Sequence, residues 1–246
     1  MFIKKSLIGT ILLLLVVVVF WKTLTATAFW GLAMYQTKDL NSTKITPNQE
    51  LTLPTATSTA TTSTATTTVY GSVQIPHWFE RTDVLQSSDG VRTIFSDRDS
   101  NAYYIISTMG AYKDGFLAGH TDKTSTEMTT FCQTLTTTFT TNPCQSDRAF
   151  LTTTMEAANK TARLFSSYQR KNAAATFLLV KAVYIPGATS SIFPFQTATV
   201  SGHIAYHPRD SIVYFFDSNE TGYEIVFADM DQAEIEAVLA SITNDV

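Results

Sequence analysis

Asp97, Asp99 and Asn101 stand at the alternating positions with which a calcium loop opens, and His203 and His207 lie four residues apart in a stretch of alternating apolar residues. Carboxylate and amide oxygens at that spacing suit a hard cation, and paired imidazoles suit a transition metal. Neither set is complete. Position six of the acidic loop is Ala102 where the tight turn needs glycine, and position twelve is Thr108 where a bidentate glutamate belongs. A hairpin turn rich in Asx side chains accounts for the same residues. A strand over 197–206 would put His203 and His207 on one face and Ile204 and Tyr206 on the other, making the imidazoles candidates for a metal on the outer face of a sheet. Asp210 is the nearest further ligand, and solvent-facing polar positions on an amphipathic strand explain the pair without a metal. The expectation is no metal and no cofactor.

Covalent catalysis needs a nucleophile with a base and a setting that exposes it. The chain has no G-x-S-x-G, S-x-x-K, H-E-x-x-H, P-loop or G-x-G-x-x-G, and its 10 glycines are few for a nucleotide-binding protein. His77 beside Trp78 and His120 beside Gly119 read as surface-loop residues. The expectation is no enzyme and no catalytic residue, with an exported hydrolase carrying a dispersed site as the alternative. Cys132 and Cys144 are the only cysteines. In an exported domain such a pair is a disulfide, which in the chain-entropy picture stabilises by about 3 kcal/mol; in a cytosolic protein it would be two thiols.

Aromatic and apolar residues are the remaining lead. The stretch Ile185–Phe195 sets Ile185, Ile192, Phe193 and Phe195 among turn-forming residues, a pattern for a binding loop. Of Tyr214, Phe215 and Phe216, the middle ring opposes its neighbours on a strand, so a sheet with one uncovered face would expose a ring to a protein or glycan partner.

The elements that must position these residues begin abruptly near Val69. A strand is expected over 69–75, a hairpin over 91–95 and 102–108, and a helix carrying Met128, Phe131, Cys132, Leu135 and Phe139 on one face, capped by Thr124 and Glu127. Residues 149–155 and 162–168 are ambiguous. The continuous apolar run 176–185 reads as a buried strand, 197–206, 211–216 and 222–228 as an antiparallel meander, and a closing helix enters at Asp229 with Gln232 three residues on. The fold class is α+β, a mainly antiparallel sheet with flanking helices.

Ahead of this lies a membrane signal. Leu7–Trp21 is apolar behind Lys4 and Lys5, which places residues 1–36 as a signal anchor or signal peptide, 37–68 as a Thr/Ser/Pro-rich disordered stalk, and 69–246 as the extracytoplasmic domain. Cleavage after Ala28 would give a secreted form. A retained single-pass transmembrane helix, amino end inside, is preferred, because Phe29, Trp30, Leu32, Met34 and Tyr35 suit a membrane interface and Lys22 can snorkel. A net charge of −4 and pI near 5.5 argue against nucleic acid as a partner.

The phrase Ile75-Pro76-His77-Trp78, the hairpin segment GVRTIFSD and the closing Gly222–Phe227 strand followed by an acidic helix entry resemble the PsbP/Mog1-like α/β module over about 69–246. That resemblance implies a fold whose members dock onto larger assemblies, and no transferable catalytic residues. The expected function is a membrane-tethered binding or assembly module with an envelope protein or glycan partner; a purely structural surface domain is a further alternative.

Overall fold

The computed structural model describes residues 20–38, 51–53, 67–70, 73–76, 80–87, 90–96, 103–109, 112–118, 125–139, 141–185, 191–207 and 209–244. Helix α1 covers 20–36. Five strands follow: β1 Thr67–Tyr70, β2 Val73–Pro76, β3 Glu80–Ser87, β4 Gly90–Ser96 and β5 Tyr103–Thr108. Four helices come next, α2 Tyr112–Ala118, α3 Ser125–Thr138, α4 Asp147–Glu156 and α5 Tyr168–Tyr184, with a 3₁₀ turn at Asn159–Thr161 before α5. The chain then returns to the sheet as β6 Ser191–Gln196, β7 Ser201–Tyr206, β8 Asp210–Phe216 and β9 Gly222–Ala228, and closes with α6 Gln232–Ala240 and β10 Thr243–Asn244. The class is α+β, as composition and periodicity indicate.

Seven strands form one antiparallel sheet in the order β3-β4-β5-β9-β8-β7-β6, and β1-β2-β10 form a separate small sheet. Among the described residues, apolar side chains leave both faces of the large sheet into packed cores. One face sends Ile106, Ile204, Val213, Phe215, Ile225 and Phe227 against Ile235, Val238 and Leu239 of α6. The opposite face sends Ile192, Ala205, Tyr214 and Phe216 into a cluster with Leu135, Phe150, Phe177 and Ile185 from the middle helices. Alternation along the strands makes this possible, since successive side chains leave opposite faces and both sets are apolar. Tyr214, Phe215 and Phe216 are therefore all buried, and no ring of that trio is left to a partner.

Four local expectations change. The run 176–185 is the second half of α5, not a strand. Its helical register buries Ala174, Ala175, Leu178 and Lys181 and leaves Asn172, Ala182 and Val183 outside, so an apolar run within a helix packed on several neighbours imitates one within a sheet. Residues 69–75 are two strands of a hairpin, Tyr70 pairing with Val73, rather than one. The closing helix starts two residues later than expected: Asp231 caps it, with Glu234 completing a reciprocal capping box, while Asp229 takes a left-handed conformation at φ 52°. Leu51, within the segment expected to be an unpacked stalk, donates its N–H to Pro194 O at 3.0 Å and bridges to Phe195, and Leu51 and Leu53 pack on the sheet core.

Helix α3 holds despite its many threonines. The hydroxyls of Thr130, Thr134, Thr136 and Thr138 each donate to the carbonyl four residues back, while Leu135 and Phe139 are buried beneath the sheet. Cys132 on α3 is disulfide-bonded to Cys144, which ties the helix to the turn leading into α4.

Candidate functional site

Three of the four expected binding-loop residues belong to the core. Ile185, Ile192 and Phe195 are 3%, 0% and 2% exposed, so they have no surface to offer. Phe193 is half-buried with its ring against Tyr206, centroids 5.8 Å apart. Residues 186–190 of that loop lie outside the described residues, as do Asp97, Asp99, Asn101, Ala102, His77, Trp78 and His120.

His203 lies on the side of β7 opposite Ile204, which is the side that the middle helices cover, while His207 lies just past the end of the strand. Burial, with the Lys181 cation adding to it, lowers the His203 pKa to about 4, so the ring is neutral at ordinary pH. His207 takes a different role: its Nδ1 accepts from Arg209 N–H at 3.3 Å and more weakly from Asp210 N–H, ordering the β7–β8 turn. Among the described residues no three His, Cys, Asp or Glu side chains gather as a metal site. Lys181 is 2% exposed and donates to Met155 O and Ala157 O, both at 2.9 Å. It satisfies carbonyls left open at the end of α4, and burial lowers its pKa to about 8.

One convergent polar group was invisible in the sequence. Tyr112 donates to Glu224 across 3.5 Å, Tyr214 donates to Tyr184 O at 2.8 Å, and the rings of Tyr112 and Tyr184 meet edge to face at 5.0 Å. Burial first, then the Glu224 carboxylate, pushes the Tyr184 and Tyr214 phenols upward. Phenols shifted in that direction keep their protons and serve as donors; a base would need the reverse. Nothing in the local sequence links residues 112, 184, 214 and 224, because the contacts arise only when α2 and α5 cross the sheet.

The most distinctive surface lies around α1. Ala26, Ala33 and Thr37 are buried on its inner side, at intervals of seven and four residues that trace one helical stripe. Small side chains on a buried stripe allow a helix to seat closely on what it covers. The Thr27 hydroxyl accepts from Lys171 Nζ at 2.8 Å and donates to Thr23 O at 2.7 Å, so a 2% exposed ammonium on α5 is answered by α1. Lys22 Nζ lies 6.0 Å from the Tyr168 ring centre, at the start of α5. Beside this contact runs a groove of about 460 Å³ whose walls include Phe29 from α1, Glu127 and Phe131 from α3, and Gln169 and Asn172 from α5.

The outer side of α1 is apolar yet open. Phe20, Trp21, Leu24, Leu32 and Tyr35 are 53%, 60%, 53%, 52% and 71% exposed. Thr25 shows the same economy as α3, returning its hydroxyl to Trp21 O at 3.0 Å. Among the described residues no helix is long and apolar enough to cross a membrane. No family model, no curated protein and no solved structure matches the chain.

Proposed function

We propose that the chain is a membrane-tethered extracytoplasmic binding or assembly module, retained by its amino-terminal apolar segment and acting without a catalytic site. The observation that carries this reading is the outward apolar face of α1, which continues without a break in sequence from the Leu7–Val19 run. Contiguous exposed apolar surface on this scale marks a membrane or partner contact. Cleavage after Ala28 would cut α1 just beyond Thr27 and remove the acceptor of the buried Lys171 ammonium, which favours the retained anchor over the secreted form. The likeness to the PsbP/Mog1-like module, carried by Ile75-Pro76-His77-Trp78, the GVRTIFSD hairpin segment and the closing Gly222–Phe227 strand and helix, fits a docking role. An envelope protein or glycan is the partner class, and the groove beside α1 is the place it would engage.

The test is fractionation of intact cells combined with protease and thiol accessibility. The expected result is a full-length chain that resists alkaline extraction from membranes, loses its carboxy-terminal domain to external protease, and gives no alkylation of Cys132 or Cys144 without reductant. Recovery of the intact chain in the soluble cytosolic fraction with both thiols reactive would overturn the proposal.

A further inference from the structure

We propose that Leu164 and Phe165, flanked in sequence by Lys160, Arg163 and Arg170, form a second membrane contact that inserts into an anionic phospholipid surface beside the Phe20–Trp21 end of α1. The proposal rests on the tethered reading above and gives it an orientation.

Leu164 and Phe165 are 60% and 97% exposed, and they are the two central residues of a closed turn. Ser166 N–H donates to Arg163 O at 2.9 Å, and Arg163 N–H donates to Ser166 Oγ at 2.9 Å. Turn centres favour glycine, proline, asparagine and aspartate, which solvate well and accept tight dihedrals. A Leu-Phe tip opposes that chemistry, and no other described part of the chain covers it. The turn is also braced: Arg170 Nε donates to Thr161 O at 2.7 Å, and the Ser167 hydroxyl accepts from Arg170 N–H to cap α5. Two apolar side chains are thus held outward on a fixed support, the geometry of a membrane wedge.

Charge and position select lipid over protein as the occupant. Residues 1–38 and 157–209 together hold ten Lys and Arg, and all 21 Asp and Glu lie elsewhere in a chain of net charge −4. Lys160, Arg163 and Arg170 are exposed and carry no ion pair among the described residues, so their charge is open to an external anion. Phe165 is three residues from Tyr168, at most ~11 Å along the chain, and Lys22 reaches that same tyrosine. The tip therefore lies at the same end of α5 as the Phe20–Trp21 end of α1, whose residues follow the apolar run in sequence. With α1 held to α5 and Leu51 held to β6, that end stays beside the membrane-entry point rather than on a long spacer. An apolar tip in a cationic ring matches hydrocarbon beneath anionic headgroups.

The experiment places an environment-sensitive fluorophore on Phe165→Cys, with the native disulfide intact, in the full chain reconstituted into vesicles of phosphatidylcholine with or without phosphatidylglycerol. Ser218→Cys, on the β8–β9 turn, serves as the aqueous control. The expected result is blue-shifted emission at 165 and quenching by lipids labelled in the acyl chain. That quenching should depend on phosphatidylglycerol and fall roughly fivefold for each charge removed in Arg163→Gln or Lys160→Gln. A chain that fails to float with vesicles sinks the tether itself. A chain that floats while position 165 stays as wet as position 218 overturns the wedge and leaves the tether standing. Shielding of 165 in native membranes but not in protein-free vesicles also overturns it and reassigns the tip to a protein partner.

Discussion

Thr27→Val tests the seating of α1 at a single oxygen. Valine keeps the β-branch and nearly the volume of threonine, so helix propensity and packing change little, while the acceptor of Lys171 Nζ disappears. Lys171 is 2% exposed, so its ammonium stays desolvated in the variant unless α1 moves away. A hydrogen bond to a charged group contributes about 1.5–3 kcal/mol, and the loss here falls toward the lower part because the contact is part-buried and water can replace some of what the hydroxyl gives. The substitution also removes the Thr27 to Thr23 bond, an internal helix contact of small net value. A change of about 2 kcal/mol raises the open fraction of α1 roughly thirtyfold. Hydrogen exchange on the full chain in detergent micelles reads this directly, as faster exchange of amides 23–36 with the β8 and β9 amides unchanged. Lys171→Met removes the buried charge instead, and the double variant should recover much of what Thr27→Val loses. A coupling of at least about 1 kcal/mol is expected from the cycle. Exchange within twofold of wild type in Thr27→Val, or simple additivity of the two substitutions, would refute the claim that this hydroxyl seats the helix.

Two further outcomes concern the core. Burial lowers the Lys181 pKa from 10.5 to about 8, so between those values the unfolded chain binds the proton that the folded chain has released. Stability contributed by this site therefore rises as pH climbs from 8 to 10.5 and stays at its lower value below 8; relative to Lys181→Met, the unfolding free energy should gain up to about 3 kcal/mol across that window. Gly202→Ala would place a Cβ 2.0 Å from Tyr214 O and 2.7 Å from Phe215 Cα, both backbone atoms of the paired strand. It should cost about 3 kcal/mol or prevent folding, read as a lowered denaturant midpoint, whereas Gly115→Ala, with open space around it, should not destabilise.

How far the fold was legible depends on how local its cause is. The meander over β7, β8 and β9 announces itself through period-two alternation, and α3 through a period of 3.6 strong enough to outweigh its threonines. The α5 segment misleads because Phe177, Leu178, Leu179 and Val180 are consecutive, and a helix packed under a sheet and beside two other helices hides its periodicity. Lys181 was the available clue, since an ammonium inside a buried strand would need an acceptor that only a neighbouring helix end supplies. β3 carries charged and polar residues among few apolar ones, so no pattern marks it, and its existence is owed to pairing with β4. Leu51-x-Leu53 before Pro54 was a readable strand-like signal obscured by the threonine-rich composition around it. For the surface contacts the limit is different in kind. Exposure of Leu164 and Phe165 is a tertiary fact, and the sequence alone offers only an ambiguous apolar pair.

The Leu51 contact has a consequence for assembly. β6 is the outermost strand of the large sheet on its side, and Pro194 within it already lacks a donor. Leu51 takes up the Pro194 carbonyl, so the rim that would otherwise template a neighbouring copy meets a piece of its own chain. This internal latch shields that part of the rim against lateral pairing with the sheet of another copy.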